Sequence, residues 1–379
     1  MLTADRPATR LAARLAFLVA GFGVACWAPL VPFAKERLQV DDGALGLLLL
    51  CLGGGSIAAM LLTGVLSARY GSRPIILAGG FGLVVLLPLL AVAGSPVSLG
   101  LTLFAFGAAL GSLDVAMNIH AVEVERAAAK PLMSGFHALF SVGGFAGSTA
   151  ITFLLTAKIS PATSTLFAAV PMAIAMAFAA PRLLRASHSE KTPLIVAPHG
   201  IVLLLAALAF LMFLVEGAIL DWSALLVTGK HLVGEARGGL GYSIFAIAMT
   251  VGRLSGDFVT ARVGDRAMLF WGSLATMGGF ALLLFAPIGW IAMSGFLLIG
   301  LGASNIVPVL FRGAGAQRAM PRGLAVAAIT TTGYAGILVG PAMIGLVAKS
   351  AGLPVAFGIL AALVGAVALS ARSVAAPRK

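Results

Sequence analysis

The chain has 379 residues, 60% of them hydrophobic and 10% charged, with a formal net charge of +12 and a mean hydropathy of +1.07. No water-soluble globular domain keeps that balance, so lipid must be the solvent for most of the chain. A nucleic-acid-binding domain is excluded despite the basic charge, because the lysines and arginines punctuate apolar runs and form no dense patch.

A bilayer core about 30 Å thick takes roughly 20 apolar residues per helix. On that measure helices are predicted near residues 11–34, 44–67, 75–94, 98–121, 133–157 and 163–181. Six more follow near 200–227, 239–258, 268–286, 289–311, 323–348 and 353–371. The first run is too long for a signal-peptide core and is read as a retained helix. Cys26 and Cys51 fall inside apolar runs without a CxxC partner, which points to free thiols. Turn-forming combinations mark the breaks: Asp41-Asp42-Gly43, Gly71-Ser72-Arg73-Pro74, Gly94-Ser95-Pro96 and Ser160-Pro161. The longest polar stretch, 182–199, separates an N-terminal six-helix domain, 1–181, from a C-terminal one, 200–379.

With a cytoplasmic N-terminus, Lys35, Arg37, Lys158, Lys230, Arg237 and Lys349 face outward, and the other 19 lysines and arginines face inward. That bias predicts cytoplasmic termini, a cytoplasmic 182–199 segment and an even number of spans in a plasma (inner) membrane. The halves also repeat. Ser67-Ala68-Arg69-Tyr70-Gly71-Ser72-Arg73 returns as Thr260-Ala261-Arg262-Val263-Gly264-Asp265-Arg266, and Gly143 and Gly147 return as Gly336 and Gly340, at one offset of 193 residues. The expected fold is an all-α polytopic membrane protein of 12 transmembrane helices in two six-helix bundles, related by a pseudo-two-fold axis along the membrane normal.

An ionisable side chain inside lipid costs at least ~2.5 kcal/mol on insertion scales, so an intramembrane acid marks a candidate site. Asp114, Glu216 and Asp221 qualify. With no lysine or arginine between residues 97 and 122, or between 201 and 228, each acid must be protonated, bound to polar neighbours or hydrated. All three are therefore candidate proton-coupling residues. The alternatives are a bond from Asp114 to Asn118 one turn on, a helix-packing bond at Glu216, and snorkelling of Asp221 beside Trp222. Asn118, Ser304 and Asn305 offer uncharged polar groups to a hydroxyl-rich substrate, or else glue helices together. Trp27, Trp222 and Tyr242 stack on a ligand or belong to the aromatic belt. His137 is a proton relay or an interfacial packing residue. Arg253 and Asp257, spaced i, i+4, form a cytoplasmic gate pair or a solvated helix end.

Gly64-Val65-Leu66-Ser67-Ala68-Arg69-Tyr70-Gly71-Ser72-Arg73 resembles the signature of the major facilitator superfamily, with Ala68 where that signature has an acid. Glu216-Gly217-Ala218-Ile219-Leu220-Asp221-Trp222, Gly252-Arg253-Leu254-Ser255-Gly256-Asp257 and the run 332–341 are similar to its fucose-permease-like branch, which includes the YbjJ and MocC-type proteins. The resemblance implies symport of a small polar solute, sugar- or polyol-like, with protons by alternating access. It also implies a cytoplasmic gate built from Arg69, Arg73, Arg253, Asp257, Arg262 and Arg266. The rival within the class is a proton-driven exporter of amphipathic drugs; a membrane-embedded receptor or enzyme is the rival outside it. No Walker loop, HExxH motif, Cys/His cluster or nucleophile elbow occurs, so neither an enzyme nor a cofactor is expected. The expected partners are the solute, protons and lipid, with the chain a monomer.

Overall fold

The computed structural model describes residues 6–40, 42–184, 197–233 and 240–374, and every regular element among them is helical. Asp41, residues 185–196 of the predicted central segment, Arg237, Arg378 and Lys379 lie outside the described residues. The helices are α1 (Pro7–Trp27), α2 (Val31–Leu38), α3 (Asp42–Tyr70), α4 (Ser72–Val92), α5 (Pro96–Ala128), α6 (Met133–Thr156) and α7 (Pro161–Ala179). They continue as α8 (Ile201–Gly229), α9 (Leu240–Val263), α10 (Asp265–Phe285), α11 (Gly289–Ala303), α12 (Ile306–Ala316), α13 (Arg322–Ala351) and α14 (Leu353–Val374). Joined through a short turn, α1 with α2 and α11 with α12 each make one span, so the described residues hold 12 spans long and apolar enough to cross a membrane.

Local chemistry sets several boundaries. Ser95 starts α5 through a reciprocal capping box with Ser98, with Pro96 at the first helical position, where a missing N–H costs nothing. Ser160 accepts from the Thr163 N–H at 3.2 Å and does the same for α7, again ahead of a proline. Gly71 and Gly264 precede α4 and α10 at φ of 78° and 85°, a conformation that favours glycine.

The chain divides into two compact units, residues 1–129 with 136–197 and residues 130–135 with 198–379. In the first, α5 is central: α3 and α4 pack along it, and α1 lies against α4, α5 and α7. In the second, α8 packs on α13, α10 on α11 and α14, and α9 on α11.

The 193-residue offset recurs inside these units as identical packing. A Cβ on Gly79 would meet the Ala109 carbonyl and Leu113; one on Gly272 would meet the Gly302 carbonyl and Ile306. Gly107 lies against the Leu52 carbonyl as Gly300 lies against that of Phe245. Helices approach this closely only where small residues let the backbones touch, which supplies van der Waals contact that lipid cannot offer. Helix ends follow the same rule. Arg37 donates Nε to the Ala93 carbonyl (3.0 Å) and Nη2 to that of Leu90 (2.9 Å), and Nη1 to that of Ala91, satisfying the last carbonyls of α4. Lys230 donates Nζ to the Leu283 and Leu284 carbonyls at 3.1 and 2.5 Å, at the end of α10.

Besides the span predicted at 11–34, which passes through the turn Ala28–Leu30, a second predicted helix is not continuous. The span expected at 289–311 breaks at Ser304 and Asn305. The cause is Pro308: with no N–H it leaves the carbonyl of Ser304, four residues back, without its helical donor.

Candidate functional site

The polar residues of the second unit converge on that break. The two glycines of Gly252-Arg253-Leu254-Ser255-Gly256-Asp257, one turn apart on α9, face it: a Cβ on Gly252 would strike the Ser304 side chain, and one on Gly256 that of Asn305. Their absence of side chains lets Asn305 donate Nδ2 to the Gly252 carbonyl at 2.9 Å and to Ser304 Oγ at 2.9 Å. The amide oxygen of Asn305 is buried with no hydrogen-bond partner.

Arg253 projects from the middle of α9. Its Nε lies 3.4 Å from the Ser304 carbonyl that Pro308 left open, and its Nη2 lies 3.4 Å from Oε1 of Glu216 on α8. The two side chains are 11% and 20% exposed, so this is a largely buried ion pair. From the sequence Arg253 is expected at a helix end with the gate residues, and the helix that carries Glu216 holds no cation of its own. The guanidinium instead arrives from the neighbouring helix. Tyr242 and Asp221 share the electrostatic neighbourhood of Glu216 and Arg253. Phe213 and Tyr334 close a wall between α8 and α13 with ring centroids 5.8 Å apart. Trp222 is half-buried with its Nε1–H unsatisfied.

Asp257, four residues beyond Arg253, accepts from the backbone N–H of Ser134 at 3.0 Å and of Gly135 at 2.8 Å. Those amides belong to the first turn of α6, so a carboxylate distant in sequence caps that helix.

In the first unit Asp114 is 7% exposed and Asn118 1%. Asn118 Nδ2 donates to the backbone carbonyl of Asp114 at 2.9 Å, not to its carboxylate, and the Asn118 amide oxygen has no partner. Trp27 is buried with its Nε1–H equally unsatisfied. His137 packs its ring 5.2 Å from that of Phe17. Among the signature arginines, Arg69 lies over the Tyr70 ring, Arg73 donates to the Ala180 carbonyl at 3.1 Å, and Arg262 lies over the Phe258 ring. Arg266 is exposed beside Asp265, which pairs with Arg312. His120 escaped notice in the sequence: fully buried, it accepts the Leu184 N–H on Nε2 at 3.2 Å.

Across the offset that preserves the packing, the chemistry does not repeat. Glu216, Arg253, Ser304, Asn305 and Pro308 correspond to Gly23, Met60, Gly111, Ser112 and Val115. Asp114, Asn118 and Trp27 correspond to Val307, Phe311 and Leu220. The duplication supplies a scaffold, and each copy carries its own polar set.

A fold of twelve spans in two six-helix units, with buried polar groups inside each, is found in known carriers. The chain superposes on the fucose:proton symporter of E. coli with a TM-score of 0.73 at 17% identity, covering all of both chains. On the human organic anion transporter MFSD10 the TM-score is 0.78 at 16% identity, covering 97% of this chain and all of that one. An uncharacterised MFS-type transporter of Yersinia pestis is 49% identical over 366 residues, 96% of this chain and 95% of that protein. The membrane protein MosC of Rhizobium meliloti is 31% identical over 340 residues, 89% of this chain and 83% of that one. Residues 15–319 match the family model of the Major Facilitator Superfamily, and with relatives of this length and identity the chain belongs to that family of membrane transporters.

Proposed function

We propose that the chain is a secondary active transporter of the plasma (inner) membrane that moves a small polar solute together with protons by alternating access, working as a monomer with both termini cytoplasmic. The observation that carries the reading is the buried Glu216–Arg253 pair on the break between α11 and α12. A carboxylate and a guanidinium in low dielectric are stable together and costly apart, by about 3–5 kcal/mol when one charge is removed. A proton arriving on Glu216 therefore changes what Arg253 must bind, and the Ser304 carbonyl, 3.4 Å from its Nε, is one of the partners it keeps. The proton and the shape of the broken span are thus linked through one side chain. Discontinuous helices at membrane depth are where carriers of this kind hold their cargo.

Asp114, for which no cation partner occurs among the described residues, is the second candidate proton site, and Asp221 the third. Asn118, Ser304, Asn305, Trp27, Trp222 and Tyr242 are the candidate solute contacts. The unsatisfied Nε1–H groups of Trp27 and Trp222 and the unsatisfied amide oxygens of Asn118 and Asn305 support this, because buried polar atoms without partners are costly unless something fills the role. Asp257 and Arg253, with Arg69, Arg73, Arg262 and Arg266, are the candidate cytoplasmic gate. The test is uptake into proteoliposomes under an imposed pH gradient: accumulation that needs an acid exterior supports the reading, and uptake blind to the gradient removes protons from it.

A further inference from the structure

We propose that Arg73 and Arg182 form a binding site for the headgroup of an anionic phospholipid, at the end of α7 where the apolar face of that helix stops. The surface of α7 points to it first. Leu166, Val170, Ile174 and Phe178, each four residues after the last, are all exposed. Residues at that spacing are neighbours on one helix surface, so the row is a face that α7 turns to lipid. Arg182 is the next member of the row.

Arg182 folds back onto that row. Its Cζ lies 3.6 Å from the centroid of the Phe178 ring, and its Nη1 donates to the Phe178 carbonyl at 2.6 Å. The ring holds the cation at the border of the apolar face without cancelling its charge. A second guanidinium reaches the same turn, Ala180–Arg182: Arg73, in the first turn of α4, donates Nε to the Ala180 carbonyl at 3.1 Å. α4 packs along α7 and exposes Phe81, Val85 and Leu89 in a row of its own. No Asp or Glu occurs in residues 72–92 or 161–184, nor in α1, which lies against both helices. Neither guanidinium has an acidic partner among the described residues.

Two uncompensated guanidiniums at one helix end suit an anion, and their geometry suits phosphate. Each spends one nitrogen on a carbonyl and keeps the rest of its planar fork for phosphate oxygens. The occupant is a lipid and not a free phosphate, because the rows on α7 and α4 are apolar and give the acyl chains a bed beside the headgroup. The second unit lacks the arrangement. At the offset of 193 residues Phe178 and Arg182 become Ala371 and Ala375, and Arg73 becomes Arg266, beside Asp265. Arg372 stands at the same end of the equivalent helix α14, with Ala368 and not an aromatic residue four positions back, and so serves as a control.

The test uses purified full-length protein in detergent and reads the lipid concentration that half-maximally raises its melting temperature, since a ligand of the native state stabilises by mass action. Probes are dioleoylphosphatidylglycerol, zwitterionic dioleoylphosphatidylcholine with the same chains, and inorganic phosphate. The anionic lipid should act at a concentration at least about ten-fold below the zwitterionic one, and phosphate should have no effect where the anionic lipid saturates. Arg73→Ala and Arg182→Ala should each raise the anionic lipid's concentration about five-fold, and the double variant should no longer tell the two lipids apart. Arg372→Ala should keep the wild-type preference. Because the readout is lipid binding and not transport, the place of Arg73 among the gate candidates does not affect it. If Arg73→Ala does not fold, Arg182→Glu decides alone, with the preference lost. The proposal is overturned if the two lipids act alike on wild type, if the preference survives the double variant, or if Arg372→Ala removes as much of it. Stabilisation by inorganic phosphate equal to that by the anionic lipid would overturn the lipid as occupant and leave a site for a free anion.

Discussion

Arg37 and Lys230, 193 residues apart, make the same contact in the two units: each reaches from the end of one span to the last carbonyls of a neighbouring helix, at Leu90 and Ala91 in one case and Leu283 and Leu284 in the other. A helix end leaves its last carbonyls without intrahelical donors, and the cap that serves them is the same in both units even though the residue type has changed. Truncation of either residue to Ala should lower stability by about 1 kcal/mol, read as a fall in melting temperature of the purified protein, with Lys230→Arg close to wild type. Melting curves unchanged by both truncations would mean that the two contacts are incidental.

Asp257 should behave as a helix cap in the same sense. Asp257→Ala leaves the Ser134 and Gly135 amides without an acceptor, which is worth about 1 kcal/mol and predicts roughly five-fold faster amide exchange there. Transport should slow while solute binding persists, because Asp257 is not placed among the solute contacts. Protection at Ser134 and Gly135 that survives the substitution would remove the cap.

Gly252 and Ser304 are matched in size. Gly252→Ala drives a methyl group into the Ser304 side chain, and should impair both stability and transport. The equivalent pair in the first unit is Ala59 and Gly111, again one small side chain facing a glycine but carried by the other helix. Gly252→Ala combined with Ser304→Gly should therefore recover much of the stability lost by the single change, measured by melting temperature. A double variant as unstable as the single one would show that the contact is not steric.

Pro308→Ala returns an N–H that can reach the Ser304 carbonyl and compete with Arg253 Nε. The protein should become more stable, and the pH dependence of transport should weaken, because Arg253 loses a backbone partner on the broken span. Transport with an unaltered pH profile would separate the helix break from the proton.

Much of the fold could be read from the residues, because lipid forces each crossing to be a long apolar helix and leaves charges only at the ends or at sites. The repeated Arg69-to-Arg73 and Arg262-to-Arg266 signatures pointed to duplication, and the packing of Gly79 with Gly272 and Gly107 with Gly300 carries it through the structure. The partner of Glu216 was not legible. Its own helix holds no cation, and which neighbouring helix brings one is decided by packing, not by periodicity. Pro308 was a usable signal: a proline inside an apolar run frees the carbonyl four residues back, and that residue is Ser304. His120 gave no such sign, since its backbone partner Leu184 is 64 residues away.

The central claim is that a proton on an intramembrane acid drives the solute, and the most direct measurement separates exchange from accumulation. Glu216→Gln and Asp114→Asn keep shape and much of the hydrogen bonding while removing the charge. Each variant, reconstituted in liposomes, is assayed for counterflow exchange of labelled solute at equal pH, and for uphill accumulation under a pH gradient. The expected result is that at least one of the two, Glu216→Gln first, still exchanges solute but no longer accumulates it. Normal gradient-driven accumulation by both variants would contradict the claim and make these acids structural.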